Sequence, residues 1–180
     1  NFSKRFKDGF RTDQRNFMKD FMLTLDDEDV IMLSDIDEIP NPEAICKIPE
    51  SKLPVVFEQK FYYYYFNCRQ IETTQNGPVI FPIIFQKTLL NAYSVQQLRD
   101  SGRTVKNIIK NAGWHFSYLM EPGDIVNKIK SFSHQELNIE EYTDLNTLAV
   151  NIHFGTDIFA RELTYEIVDF EKEFPLELKR

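Results

Sequence analysis

Val30-Ile31-Met32-Leu33-Ser34-Asp35-Ile36-Asp37-Glu38-Ile39-Pro40 is the stretch that decides how the chain is read. Four apolar residues run into a cluster of three carboxylates, and Pro40 with Pro42 then stops the element. A short apolar run rich in β-branched residues and bounded by a turn reads as a buried strand. Asp35 and Asp37 are two positions apart, so an extended backbone sends both side chains to one face. Two carboxylates on one face repel unless something positive sits between them. Hard divalent cations such as Mg²⁺ and Mn²⁺ take oxygen ligands, typically one or two carboxylates completed by the phosphates of a substrate. In open α/β sheets ligands gather outside the carboxyl ends of the strands, where these residues fall. The stretch therefore reads as a clamp for a metal ion and a diphosphate. The plainer alternative is a charged turn that closes a strand.

At 180 residues the chain reads as a single domain, 1–180, large enough to bury roughly 70% of its unfolded surface. Its 42% hydrophobic and 27% charged residues are ordinary for a globular protein. A net charge of −7 argues against nucleic acid as a partner, because phosphate backbones demand clustered Lys and Arg. No apolar run is long enough to cross a bilayer and no signal peptide is visible. The chain begins with Asn1 rather than Met, which leaves targeting open. Cys46 and Cys68 are too few for a disulfide framework and lack zinc spacing. The aromatic content is high, with 16 Phe, 8 Tyr and 1 Trp. Phenylalanines belong mainly to the core, whereas an excess of Tyr suits a carbohydrate site, where sugar C–H faces stack on rings and hydroxyls bond polar tips.

From Thr12 to Leu25 the apolar positions Phe17, Met18, Phe21, Met22 and Leu25 fall at helical spacing, with Arg11 and Arg15 one turn apart at the start. The two arginines are either surface charges or reach the diphosphate. An αβ unit of this kind is what an α/β fold is built from. Further strands are expected at Leu53–Glu58, at the aromatic run Phe61–Phe66, and at Val79–Phe85, where Pro82 implies an edge strand or a bulge. In the aromatic run one face belongs to the core and the other is a candidate sugar platform. Ser94 with Gln97 is a capping-box start for a short helix. The basic residues that follow (Arg99, Arg103, Lys106, Lys110) either form a solvated face or screen a diphosphate. Gly113 permits close backbone approach ahead of the alternating run Trp114-His115-Phe116-Ser117-Tyr118. Ser133, His134 and Glu136 are candidates for a hydrogen-bonded acid/base group. Asn138 with Glu141 is read as the capped start of one helix carrying Ile139, Tyr142, Leu145 and Ile152 on one face, ended by His153 and Gly155. Glu166–Arg180 reads as a peripheral strand and turn.

Four blocks in this order carry a resemblance: Ser34–Pro40, Gly113–Tyr118, Lys128–Glu136 and Gly155–Arg161. Together they resemble glycosyltransferase family 17, over roughly residues 10–165. The resemblance implies an α/β fold of GT-A-like type, a mixed sheet flanked by helices, with its N-terminal part missing or shortened. It implies a metal-dependent, inverting transfer of a sugar, GlcNAc as the best reading, from a UDP-sugar donor to a carbohydrate or other hydroxyl acceptor. The implied metal, Mn²⁺ or Mg²⁺, falls to Asp35, Asp37 and His115, and donor binding to Asp35, Arg11, Arg15, Trp114 and Arg161. Glu136 and Asp157 are the implied candidates for the base, with His134 beside acceptor or metal. Two alternatives stand next to this reading. One is a phosphatase of the haloacid-dehalogenase type, which also places two aspartates at a strand end. The other is a carbohydrate-binding module without turnover.

Overall fold

The computed structural model describes Arg15 and residues 17–71, 79–101, 104–131 and 135–175. A helical segment over 17–22 (α1) precedes β1 (Val30–Leu33), β2 (Glu38–Pro40), α2 (Pro42–Ile45), β3 (Val55–Tyr63), β4 (Cys68–Gln70) and β5 (Val79–Gln86). There follow α3 (Val95–Ser101), β6 (Ile108–Ile109), β7 (Gly113–Ser117), α4 (Pro122–Ser131), α5 (Glu140–Thr143), α6 (Leu145–Phe154), β8 (Tyr165–Ile167) and α7 (Phe170–Glu173). The architecture is α/β. Its sheet is mixed, with β6 parallel to β3 among antiparallel ladders. The chain divides into two compact units, Asn1–Gln59 with Pro78–His115, and Lys60–Gly77 with Phe116–Arg180.

In the first unit β1 forms as its apolar run dictates. Ile31 and Leu33 point into a core shared with Val56, Ile83, Phe85, Leu90, Val95 and Leu98. The strand ends sooner than the sequence suggests, however. Ser34–Asp37 leave the ladder, and the Asp35 carbonyl accepts the Glu38 amide at 3.0 Å in a tight turn. Asp35 and Asp37 thus stand on a turn and not on one face of an extended strand. The physical reason is local: Ser and Asp side chains offer the backbone turn geometry, and a sheet flank has no partners for consecutive carboxylates. Pro82 does make a bulge. Ile83 faces Val56 while Ile80 faces Glu58, so β5 carries one extra residue across Phe81–Pro82, and it lies between β1 and β3 rather than at an edge. The expected amphipathic helix is only partly buried: Met22 packs on the core, as does Leu25 just beyond the helix, yet Phe17 and Phe21 stay exposed. Arg11 and Thr12 lie outside the described residues.

Gly113 sits opposite Pro40 in the β2–β7 ladder with φ of +152°. A Cβ there would collide with the Ile39 carbonyl and press on Gln59 Nε2 at 2.8 Å. The sequence reading of close approach holds. Gly113→Ala should cost about 2–3 kcal/mol, read as a lowered denaturation midpoint with an unchanged slope.

Leu53–Glu58 and Phe61–Phe66 do not make two strands. β3 runs unbroken through Tyr63, and Tyr62, Tyr63 and Tyr64 are all buried. They are core, so the sugar platform expected on one face of this run is absent there; Tyr65 and Phe66 alone are open to solvent. The core of the second unit gathers Tyr63, Tyr64, Tyr118, Ile125, Ile129, Leu148 and Ile158. The single helix expected from Asn138 is broken in two, because the Asp144 carboxylate accepts the Thr147 amide at 2.8 Å and caps a fresh helix. Gly155, at φ of 63°, ends α6 as expected. The tail is less peripheral than it reads. Glu173 accepts from the Tyr62 hydroxyl at 2.5 Å, Lys60 Nζ at 2.8 Å and Arg69 Nη1 at 3.0 Å. Although burial pushes its carboxyl up, the Lys60 and Tyr62 bonds hold it below the usual range.

Candidate active site

The turn after β1 is built around Glu38. Its carboxylate folds back to accept the Asp35 amide at 2.9 Å and the Ser34 hydroxyl at 3.4 Å, and the residue is only 3% exposed. A buried carboxylate needs a cation, and α3 supplies one. Ser94 and Gln97 close a reciprocal capping box, Gln97 Oε1 accepting the Ser94 amide at 2.8 Å and Ser94 Oγ the Gln97 amide at 3.2 Å. That start sets the helix phase, so Val95, Leu98 and Arg99 face inward together. The Arg99 guanidinium donates to Glu38 Oε1, to Asp35 Oδ2 at 3.1 Å and to the Phe81 carbonyl, which the bulge at Pro82 has taken out of the ladder. It also lies 4.9 Å from the Phe81 ring centroid. Burial pushes the Glu38 carboxyl above its ordinary value, with the Asp35 amide and the Arg99 charge opposing the rise.

Asp35 is held a second time, by Arg15 ahead of α1. Arg15 Nη2 donates to both its oxygens at 3.2 and 3.3 Å, while Arg15 Nη1 is aimed by Gln96 Oε1 at 2.9 Å. Asp37 takes a different partner: its Oδ2 lies 3.6 Å from His115 Nε2. The β2–β7 ladder sets that meeting by placing Glu38 opposite His115, with the imidazole edge-on to Phe81 at 5.5 Å. Trp114 pairs with Ile39 and is 6% exposed, a buried residue of β7 and not an open stacking surface.

The structure thus brings together Arg15, Asp35, Asp37 and His115 of the residues singled out in the sequence, and adds Arg99, Glu38 and Gln96. Among the described residues, no three His, Cys, Asp or Glu side chains gather closely enough to hold a metal unaided. Asp35 is engaged by two guanidinium groups, whereas Asp37 and His115 present one oxygen and one nitrogen donor at the partly open side of the turn.

In the second unit Asp157 is almost fully buried and saturated. It accepts from the amides of Phe159 and Arg161 at 3.1 and 3.0 Å, from Arg161 Nε and Nη2 at 2.9 and 2.5 Å, and from the Tyr165 hydroxyl at 3.3 Å. Arg161 lies against the Phe159 ring at 5.3 Å. The pair anchors the loop after α6. Glu136 stands exposed on a 3₁₀ turn, Gln135–Leu137. His134 and Arg11 lie outside the described residues.

The residue whose place the sequence left open is Arg99, grouped there with a basic stretch that either forms a solvated face or screens a diphosphate; the structure turns it inward. The signal was present in the capping box, which fixes which α3 positions turn inward.

A family model described as glycosyltransferase family 17 matches residues 2–170. The chain belongs to glycosyltransferase family 17, and its activity class is sugar transfer, with a sugar donor and an acceptor as its partners. That membership sets aside the phosphatase alternative. No curated protein and no solved structure matches the chain. No helix among the described residues is long and apolar enough to cross a membrane.

Proposed function

We propose that the chain is a GT-A-like, metal-dependent, inverting glycosyltransferase that moves a sugar, GlcNAc in this reading, from UDP to a hydroxyl of a glycan acceptor. The observation that carries the reading is the Asp35–Glu38 turn at the carboxyl end of β1, where carboxylates, two guanidinium groups and an imidazole converge. Mg²⁺ and Mn²⁺ keep only one or two protein carboxylates when a substrate diphosphate completes their shell. Asp37 with His115 fits that need, while Asp35, held by Arg15 and Arg99, fixes the turn that carries Asp37. Bound there, the cation would supply Lewis-acid charge neutralisation at the leaving diphosphate.

The chain's own groups account for the rest. Arg15 is partly open to solvent and aimed by Gln96, so it can exchange one carboxylate oxygen for a phosphate oxygen without changing rotamer. Arg99 is fixed by three acceptors and holds the turn in shape while charge develops, which is preorganised electrostatic stabilisation. Arg11 belongs with Arg15 in the same helix pattern of the sequence, and Trp114 pairs with Ile39 in the ladder that follows the turn. Inversion needs a base that takes the proton of the attacking hydroxyl as UDP leaves. Asp157 is committed to Arg161 and Tyr165, so the base falls to Glu136, with His134 two residues before it as the group that orients the acceptor.

The test is thermal unfolding with Mn²⁺, UDP, both together, and UDP with chelator. A ligand at 100 times its Kd adds about 2.7 kcal/mol, which for a chain of this size raises Tm by about 5–10 °C. Mn²⁺ and UDP together should do this while either alone does far less. Equal shifts with Mn²⁺ and with chelator would remove the metal from the reading.

A further inference from the structure

Gln59 stands apart among the buried side chains of the first unit. It is 1% exposed, yet neither its Oε1 nor its Nε2 finds a hydrogen-bond partner among the described residues. Burying an amide with both ends unmet is costly, and folded proteins meet such groups with an ordered water or give them a task.

The strands around Gln59 place that amide beneath the site. β3 is bordered by β5 and by β7. On the β5 side Gln59 pairs with Val79, two residues before Phe81. On the β7 side its Nε2 lies 2.8 Å from the point a Gly113 Cβ would occupy, two residues before His115. Side chains two apart on a strand share a face, so His115 leaves β7 on the side where the Gln59 amide lies. There the rings of Phe81 and His115 meet, centroids 5.5 Å apart, and close over β3 above Gln59. Glycine at 113 leaves the amide this place, and a methyl group would displace it. Gln59, Phe81, Gly113 and His115 all belong to the first unit.

The two ring nitrogens of His115 have different surroundings. Nε2 faces Asp37 Oδ2 at 3.6 Å, whereas Nδ1 is buried. A neutral imidazole carries one proton, and the nitrogen that holds it has no lone pair to offer. A cation ligand beside Asp37 must therefore keep the Nε2 lone pair and hold its proton on Nδ1, a tautomer that an acceptor at Nδ1 fixes. We propose that Gln59 is the positioning residue that sets this tautomer, its amide oxygen accepting through one ordered water from the His115 Nδ1–H. The inference rests on the metal reading of the turn and adds the group that orients its nitrogen ligand. A neutral amide suits this task better than a carboxylate. It orients the ring without adding a charge that favours the imidazolium, which cannot ligate a cation.

The experiment reads the His115 tautomer by long-range ¹H–¹⁵N NMR on the full chain without metal, at a pH where the imidazole is neutral. His115→Ala assigns the signal. The wild type should show the Nδ1–H form, a result that tests the proposal whether or not any variant folds. Gln59→Met keeps the length of the side chain without the amide and should lose that form in favour of Nε2–H; melts of the same samples verify folding. Calorimetry with Mn²⁺ in the presence of UDP should show binding about 10–100-fold weaker in Gln59→Met, the scale of losing a partner behind a metal ligand. His115 in the Nε2–H form in the wild type, or an Nδ1–H signal unchanged in folded Gln59→Met, overturns the assignment even where Mn²⁺ and UDP bind. So does wild-type Mn²⁺ affinity in a variant whose tautomer has switched. A tautomer that responds to the variant, in a chain that binds neither Mn²⁺ nor UDP, upholds the hold of Gln59 on His115 and overturns the metal reading instead.

Discussion

Arg99→Met should destabilise the fold by about 3–5 kcal/mol, the cost of removing one partner from a buried ion pair, and lower Tm by roughly 10 °C or more. Methionine keeps the length and apolar packing of the stem, so the loss isolates the guanidinium. What it abandons is specific: Glu38, with its side chain 1% exposed, loses its cation, and the Phe81 carbonyl at the bulge loses its donor. Burial already raises the Glu38 carboxyl above its ordinary value and Arg99 works against that rise. Without Arg99 the folded-state pKa moves further up while the unfolded value stays put. The folded variant then binds a proton more readily than the unfolded chain, so its stability falls as pH rises through that interval and recovers as pH drops. The deficit relative to the wild type should therefore shrink towards acid pH. Arg99→Met combined with Glu38→Gln, which removes the orphaned charge, should recover a large part of the loss. A single variant as stable as the wild type, or a double variant no better than the single, would show that the pair does not hold the turn.

How far the sequence foretold this site depends on which interactions were local. β1, the bulge at Pro82, the Ser94–Gln97 box, the approach at Gly113 and the cap at Gly155 are each dictated by residues within a few positions of one another, and all were legible. What failed needed partners far along the chain. Periodicity carried the strand through Asp37, but Glu38 finds its cation 61 residues away on α3, and that distant pairing is what lets the backbone turn early. The tyrosine run reads equally well as a core strand or as a half-open platform, because its alternation is the same in both. Burial of Tyr63 and Tyr64 is decided by helices α4 and α6 and by Tyr165, that of Tyr62 by Phe116 and Phe174, all at least 50 residues on, and the opening at Tyr65 by a left-handed tyrosine that no pattern announces. Asp157 reads as a candidate base, and only its five donors mark it as an anchor.

Asp37→Ala should lower the rate of UDP release in the presence of Mn²⁺ and acceptor by about 100–1,000-fold, the scale of losing one preorganised electrostatic partner of a developing charge, while leaving stability nearly unchanged. The two halves of that expectation have separate causes. Asp37 sits on a turn with its side chain 31% exposed, 3.6 Å from His115, and a pair of that exposure contributes ~0–1 kcal/mol to folding. At that exposure removing it should shift Tm by at most a few degrees. The transfer reaction has no such indifference, because the proposed cation would lose an oxygen ligand where the diphosphate gathers charge. Asp37→Asn keeps the shape and one oxygen but not the charge, and should fall between the wild type and alanine. His115→Ala should show a smaller loss that added Mn²⁺ partly relieves, since a neutral nitrogen ligand contributes affinity more than charge. Asp35→Asn separates the two aspartates. It removes a partner of Arg15 and Arg99 and should therefore lower stability as well as rate, which Asp37→Ala does not. The measurement is turnover over a Mn²⁺ titration, paired with thermal melts of each variant. Wild-type turnover in Asp37→Ala would take the cation away from this turn.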